Sequence, residues 1–387
     1  MPALDVPQPE FMDDEEIAIF ADAVGKFYEK HAPEKRVLKW REDGQVDRDF
    51  WRDAGEAGLL GASVPEEYGG HGGDFRHEMV VIDQQGQHGV EGFAASLHNT
   101  IILPYLVRHG TEEQKKKYLP RLVSGDLVSA IAMTEPGVGS DLQSITTTAI
   151  KDGNGYRING AKTYISNGQI ADFIIVVAKT DPNERAKGIS LMLLETEGAE
   201  GFQRGKKLDK IGLEAQDTSE LFFDDVFVPA ENVLGGEEGK GFYQLMGELP
   251  QERLIIAMGA MSTIERALEE TIAFTKERKA FGKTIWDFQN TQFTLAELKA
   301  RATAAKVFVN HCIAQHLEGK LDVPTACMAK LWLTELQGEV VDKCLQFHGG
   351  AGFINDYPIA RMFRDSRITR IFGGSNEVMK MVIARSM

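Results

Sequence analysis

Met133-Thr-Glu-Pro-Gly-Val-Gly-Ser-Asp141 follows a short apolar run and sets hydroxyls at Thr134 and Ser140 among glycines. Without Cβ atoms, such a turn can bring backbone N–H groups close to a flat heterocycle or a phosphate. The same composition also builds ordinary loops between strands. Tyr164-Ile-Ser-Asn-Gly168 places an aromatic ring and a hydroxyl two residues apart. On a strand both would face one side, where they could flank a ring or simply pack. Glu277-Arg-Lys-Ala-Phe-Gly-Lys283 closes a predicted helix with a basic cluster, which favours the negative helix end and offers an anion site. Gln346-Phe-His-Gly-Gly-Ala-Gly352 carries more glycine than capping requires, which points to a close backbone approach. Ile371-Phe-Gly-Gly-Ser-Asn-Glu377 repeats that theme before the last predicted helix. His348 on its own reads as a structural histidine. Gly69-Gly-His-Gly-Gly73 imitates a dinucleotide loop, but it follows Val64-Pro-Glu-Glu-Tyr68 with no βαβ unit around it, so it is assigned as a loop.

Three kinds of element must position these segments. From Asp13 to about Val123 the chain reads as helices, for instance 15–31, 75–86 and 112–122, the last opened by Thr111 as cap with Glu112 and Glu113 behind it. The period then shortens. Ser144 to Ile150 is β-branched and leads through Asp152-Gly153 into Tyr156-Arg-Ile-Asn159, and 173–178, 189–194 and 221–228 add short β-rich runs. After Gly235-Gly236 helical spacing returns. Apolar residues at 295, 298, 302, 305 and 309, a similar face at 257, 261, 264, 268 and 272, and a third helix over 326–347 predict an antiparallel bundle. The expected architecture is mainly α with a β domain (α+β): a helical domain over 1–124, a β-barrel-like middle domain over 125–236 and a four-helix bundle over 237–387.

Composition narrows the class of function. A chain of 387 residues, 43% of them hydrophobic, can bury a large core. Its formal net charge of -15 gives no general attraction to nucleic acid or an anionic membrane, so an anionic ligand must meet a local basic patch. No apolar run approaches the about 18 to 20 residues that a membrane span needs, and the acidic start resembles neither an export nor a transit signal. Cys312, Cys327 and Cys344 lack ligand or disulfide spacing and read as reduced core residues of a cytoplasmic protein.

Taken in order, MTEPGVGSD, YISNG, ERKAFGK, QFHGGAG and FGGSNE resemble the acyl-CoA dehydrogenase family over almost the whole chain. Leu249-Pro-Gln-Glu-Arg253 and Ala326-Cys-Met-Ala-Lys330 are similar to its long-chain branch. The resemblance implies FAD. Ile131, Met133, Thr134, Gly139 and Ser140 would run beside the isoalloxazine, which Tyr164 and Ser166 would bound. Arg278, Phe281 and Gln289 would reach the FAD of a neighbouring subunit, and Gln346, Gly349 and Gly350 would hold its adenylate half. Ser375 and Glu377 match cofactor contacts. Ser140, Arg253, Gly373 and Gly374 match acyl-CoA contacts. The implied partners are an acyl-CoA substrate and an electron-transferring flavoprotein, in a homotetramer built as a dimer of dimers, with no nucleic acid and no membrane insertion.

Many members of that family carry the catalytic carboxylate in the terminal motif, where this chain has Gly373. The long-chain and isovaleryl branches carry it at the position of Glu252, which becomes the expected base; its plain alternative is a surface acid in a first helical turn after Pro250. Glu377, four residues beyond position 373, is the rival base and would point elsewhere on a helix. The implied reaction is α,β-dehydrogenation of a fatty acyl-CoA to the trans-2-enoyl-CoA, a step of fatty acid β-oxidation, with medium to long chains favoured and room for branching left by Gly373. An acyl-CoA oxidase, a flavin monooxygenase and a catalytically silent acyl-CoA-binding scaffold remain alternatives.

Overall fold

The computed structural model describes residues 3–90 and 92–387. Its first third is helical: α1 (Glu15–His31), α2 (Glu34–Asp43), α3 (Arg48–Glu56), α4 (Phe75–His88), α5 (Ala95–Leu97), α6 (Leu103–His109) and α7 (Glu112–Val123). The capping signal before α7 is realised in full, because Thr111 accepts from the Gln114 N–H while the Gln114 side chain reaches back to the Thr111 N–H. Between α5 and α6 the helix widens over His98–Ile102 into a π turn. The glycine-rich stretch from Gly69 is a loop after a single 3-10 turn at Glu66–Tyr68, as expected.

The middle of the chain forms a curled seven-stranded sheet from β1 (Ser129–Ala132), β2 (Thr148–Asp152), β3 (Gly155–Ser166), β4 (Phe173–Lys179), β5 (Ile189–Glu195), β6 (Phe202–Lys207) and β7 (Thr218–Pro229). β1 runs parallel to β4, whereas β2–β3, β3–β7, β4–β5 and β6–β7 are antiparallel. The Asp152-Gly153 signal produces the β2–β3 hairpin, with Asp152 opposite Gly155. The strand expected from Ser144 begins only at Thr148, because Leu142–Ser144 closes a 3-10 turn. The β-branched residues before 148 belong instead to a segment whose N–H groups are claimed by the Glu135 carboxylate.

Helices return with α8 (Gly241–Glu277), α9 (Gln289–Leu317), α10 (Val323–His348), α11 (Pro358–Asp365) and α12 (Asn376–Arg385). The stripe at 295, 298, 302, 305 and 309 is buried throughout, as are 257, 261, 264 and 268, so α8, α9 and α10 share one apolar core with α12 laid on α10. Each fully buried leucine there contributes about 1.5–3 kcal/mol relative to exposure. Helices, sheet and helices therefore follow one another in the expected order. The basic segment after α8 departs from expectation: the helix stops at Glu277, and Lys279–Ala280 pairs with Lys283–Thr284 in a hairpin, β8–β9, turned by Phe281 (φ 53) and Gly282 (φ 80). Lys276 is the basic residue of the last helical turn, so the cluster serves a turn and not the helix end.

Candidate active site

Pro250 does not begin a helix. It lies inside the 37-residue α8, and Glu252 two residues on is buried, with only 6% of its surface exposed. This rules out the surface-acid reading. The carboxylate accepts a hydrogen bond of 2.9 Å from the hydroxyl of Tyr105 on α6. Burial raises its pKa from an ordinary 4.5 to about 7; the Tyr105 hydrogen bond opposes this, Glu248 one turn earlier adds to it, and Arg253 opposes it more weakly. Burial and the facing Glu252 charge push the Tyr105 phenol well up, so it stays a donor.

The neighbouring acid is treated differently. Glu248 is held by the Arg108 guanidinium and by His109 Nε2 at 3.1 Å. Gln251 accepts from Arg108 Nη2 at 2.8 Å and donates to the Thr100 carbonyl at 2.7 Å. α6 thus supplies a cationic partner to Glu248 and a neutral one to Glu252.

Glu252 opens onto a cleft of about 330 Å³. Of the residues singled out from sequence, Ile131, Met133, Thr134, Tyr164 and Gly373 line it with Glu252. The rest of the wall was not foreseen: Ile82, Ser96, Leu97 and Ile101 from α4 to the π turn, Ile255, Ile256, Gly259 and Thr263 from α8, and Gln337, Asp365, Thr369 and Phe372 on the far side. Their apolar spacing on α8 is visible in sequence, but it cannot be told there from core packing.

Buried ionic contacts shape the two loops at the cleft. Below the Met133 turn, Lys162 donates to the Met133 carbonyl and to Glu135, each at 3.0 Å, while Glu135 also accepts from Thr146 and Thr147 N–H groups. Burial alone would raise the Glu135 carboxyl, but Lys162 and these donors hold it at about 2. At the terminal motif, the fully buried Lys330 donates to the Gly374 carbonyl at 2.9 Å and to Asn376 Oδ1 at 2.8 Å. Burial lowers the Lys330 ammonium to about 8, with Arg253 adding to the effect. Gly373 and Gly374 both have left-handed backbones, φ 62 and 86.

Several expectations change at this level. The space left by glycine at 373 is not free: a Cβ there would lie 2.3 Å from Ile256 Cδ1, so Ile256 occupies the room expected for branched acyl groups. Tyr164 and Ser166 do not share a strand face, because Tyr164 has φ 59 within a register shift between Lys162 and Ile165; it stands 68% exposed and lines the cleft, whereas Ser166 does not. Arg253 is buried and directs Nη1 at Cys327 Sγ (3.2 Å), outside the cleft lining. Glu377 is exposed in the first turn of α12, and the two left-handed glycines show that no helix joins it to position 373. Ser375 and Gly374 flank the same turn without lining the cleft. Gly139, Ser140, Arg278, Phe281, Gln289, Gln346, Gly349 and Gly350 are exposed, also outside that lining. Of the glycines after Gln346, Gly349 ends the helix with a positive φ (56) and open space around it, and the crowded one is Gly352, where a Cβ would lie 2.5 Å from the Leu345 carbonyl oxygen. His348 stacks on Phe274 at 4.1 Å and contacts Thr271, a structural role.

Models of the acyl-CoA dehydrogenase N-terminal, middle and C-terminal domains match residues 14–126, 130–226 and 239–387. The chain is 47% identical to the mitochondrial long-chain specific acyl-CoA dehydrogenase of Sus scrofa, over 95% of this chain and 86% of that protein. It is 38% identical to the mitochondrial isovaleryl-CoA dehydrogenase of Pongo abelii, over 94% and 86%. A crystal structure of an acyl-CoA dehydrogenase from Geobacillus kaustophilus superposes with a TM-score of 0.94 at 46% identity, covering 96% of this chain and 98% of that one.

Proposed function

This chain belongs to the acyl-CoA dehydrogenase family, and from that premise we propose that it oxidises a medium- to long-chain fatty acyl-CoA to the trans-2-enoyl-CoA, with Glu252 as base and FAD as cofactor. The observation that carries the reading is a carboxyl buried in the wall of an apolar cleft, with a pKa raised to about 7. At that value it can take a proton at neutral pH and give it up again, as a general base requires.

The cleft suits the cofactor. Ile131, Met133 and the outward ring of Tyr164 offer an apolar wall with the Thr134 hydroxyl beside it, and Gly137 and Gly139 have open space where a Cβ would stand. Thr134, Gly139, Ser140, Tyr164 and Ser166 would hold the ring end of FAD, with Ser375 and Glu377 near the last helix. Bound FAD supplies the acceptor for the β-hydrogen, which leaves the substrate as hydride. Arg278, Phe281 and Gln289 would reach the FAD of a neighbouring subunit, and Gln346, Gly349 and Gly350 would hold its adenylate half. Their exposure, 95% for Phe281, is in keeping with a dimer of dimers.

Glu252 takes the α-proton as that C–H bond breaks and the Cα–Cβ double bond forms. A carboxylate is a weak base for such a proton, so the negative charge growing on the thioester oxygen must be stabilised by N–H donors. The backbone N–H of Gly373 is the donor this chain offers, and Lys330 fixes the turn that presents it by binding the next carbonyl. The apolar side chains of Ile255, Ile256 and Ile101 exclude water and keep the base desolvated. Electrons pass on to an electron-transferring flavoprotein, and the three free, buried cysteines suit a reducing compartment such as the cytoplasm.

The test is Glu252→Gln mixed anaerobically with straight and branched acyl-CoAs of graded length. We expect FAD to be retained and its absorbance not to bleach; normal bleaching would overturn the assignment of the base.

A further inference from the structure

We propose that Tyr105 is a positioning residue for the base: its hydroxyl fixes the Glu252 carboxylate in the cleft wall and helps to keep it ionised there. This rests on the proposed role of Glu252 and deepens it. Tyr105 is fully buried, and Glu252 Oε1 is the acceptor that its hydroxyl meets, at 2.9 Å.

A buried tyrosine normally needs a partner for its hydroxyl, so the contact could serve packing alone. Three features argue otherwise. Tyr28, equally buried, keeps a hydroxyl with no partner, so this fold does not require every core phenol to be satisfied. The π turn at His98–Ile102 adds one residue just before α6, which rotates all that follows by about 100° relative to an uninterrupted α-helix. With that rotation, Ile101 lines the cleft and Tyr105 meets α8 at Glu252. Finally, α6 gives its arginine, with the His109 ring, to the other acid. Arg108 and His109 bind Glu248, while Glu252 receives a donor without charge.

That division matters to a base. An arginine paired with Glu252 would hold the proton affinity too low for abstraction, whereas no donor at all would leave the buried carboxyl protonated at neutral pH. A phenol lies between these extremes. The groups facing Glu252 are Tyr105 on α6, Glu248 and Arg253 on its own helix, and Tyr164 and Asp365 across the cleft; Arg108 and His109 act on it through Glu248. Among them Tyr105 alone is shown bonded to the carboxylate.

The experiment uses the FAD-loaded enzyme and two replacements, Tyr105→Phe and site-specific 3-fluorotyrosine at 105, a more acidic and therefore stronger donor. The rate of anaerobic flavin bleaching by acyl-CoA is measured across pH. In parallel, the C=O stretch of the protonated Glu252 carboxyl is followed in substrate-free enzyme by infrared difference against Glu252→Gln. With phenylalanine both midpoints should rise by about one to two units of pH, the size of one hydrogen bond to a charged group. Bleaching at pH 7 should then fall about 5- to 50-fold and recover in alkali. With fluorotyrosine both midpoints should move down. Identical midpoints in all three proteins, including any rate loss that is uniform across pH, would overturn the proposal while leaving Glu252 as base. Normal bleaching in Glu252→Gln would overturn both.

Discussion

Burying an ionisable base should destabilise the fold in a pH-dependent way, and Glu252→Gln isolates that cost. The carboxyl stands at about 7 in the folded chain against an ordinary 4.5. A group raised on folding contributes fully below its unfolded pKa and loses that contribution as pH rises through the folded value. The difference corresponds to about 3 kcal/mol, absent below about pH 4.5 and complete above about pH 7. Glutamine keeps an oxygen for the Tyr105 hydroxyl but carries no charge, so the variant escapes the loss. With an unfolding entropy of about 2 cal/mol/K for each of the 387 residues, its thermal midpoint should gain about 4 °C over the unmodified enzyme across that window. Scanning calorimetry of both FAD-loaded proteins in matched buffers from pH 4.5 to 8 reads this directly. A gap between the two midpoints that does not change with pH would refute the claim that the fold raises this carboxyl.

The contact between position 373 and Ile256 makes a second prediction. Gly373→Ala forces a side chain into a left-handed backbone, at about 1–2 kcal/mol, and pushes Ile256 Cδ1 into the cleft it lines. KM for long and branched acyl-CoAs should rise while FAD is retained, and adding Ile256→Ala should restore it; equal KM values in the alanine variant and the unmodified enzyme would refute the placement. Lys330→Met removes the buried ammonium from the Gly374 carbonyl and from Asn376 Oδ1, which keeps only the Thr334 hydroxyl at 3.3 Å, at about 1–3 kcal/mol. Stopped-flow flavin reduction should slow and the thermal midpoint fall, and no change in either would show that the terminal turn holds itself.

What could be read from sequence was local. The stripe from Leu295 to Val309 predicts its buried face because a helix repeats every 3.6 residues, and Thr111 predicts the start of α7 because the cap and its partner lie three residues apart. Glu252 was different. Nothing in its neighbours distinguishes it from a solvated acid, and family resemblance alone singled it out. Its burial comes from α6, whose Tyr105 lies 147 residues away in the chain. Lys330 reaches Gly374 across 44 residues, equally invisible to any periodicity. Single residues break the repeats on which such readings depend: the left-handed Tyr164 (φ 59) turns the strand face, and the extended Arg278 (φ -69, ψ 125) ends α8 ahead of the basic hairpin.

The position of the base is tied to the shape of the terminal turn. Ile256 lies one helical turn beyond Glu252 on the same wall of α8, and its Cδ1 reaches the space that a side chain at 373 would need. A carboxylate carried by α8 therefore comes with a bulky neighbour on the same face, and that neighbour is compatible with glycine across the cleft. Glycine also lets the backbone at 373 adopt φ 62, while Lys330 secures the carbonyl of the next residue. The side chain that does the chemistry and the N–H proposed to support it can thus come from separate elements, each held by its own buried contact: Tyr105 for the acid and Lys330 for the turn. Perturbing one contact should change proton affinity and perturbing the other should change charge stabilisation, so the two functions are separable by mutation in this chain.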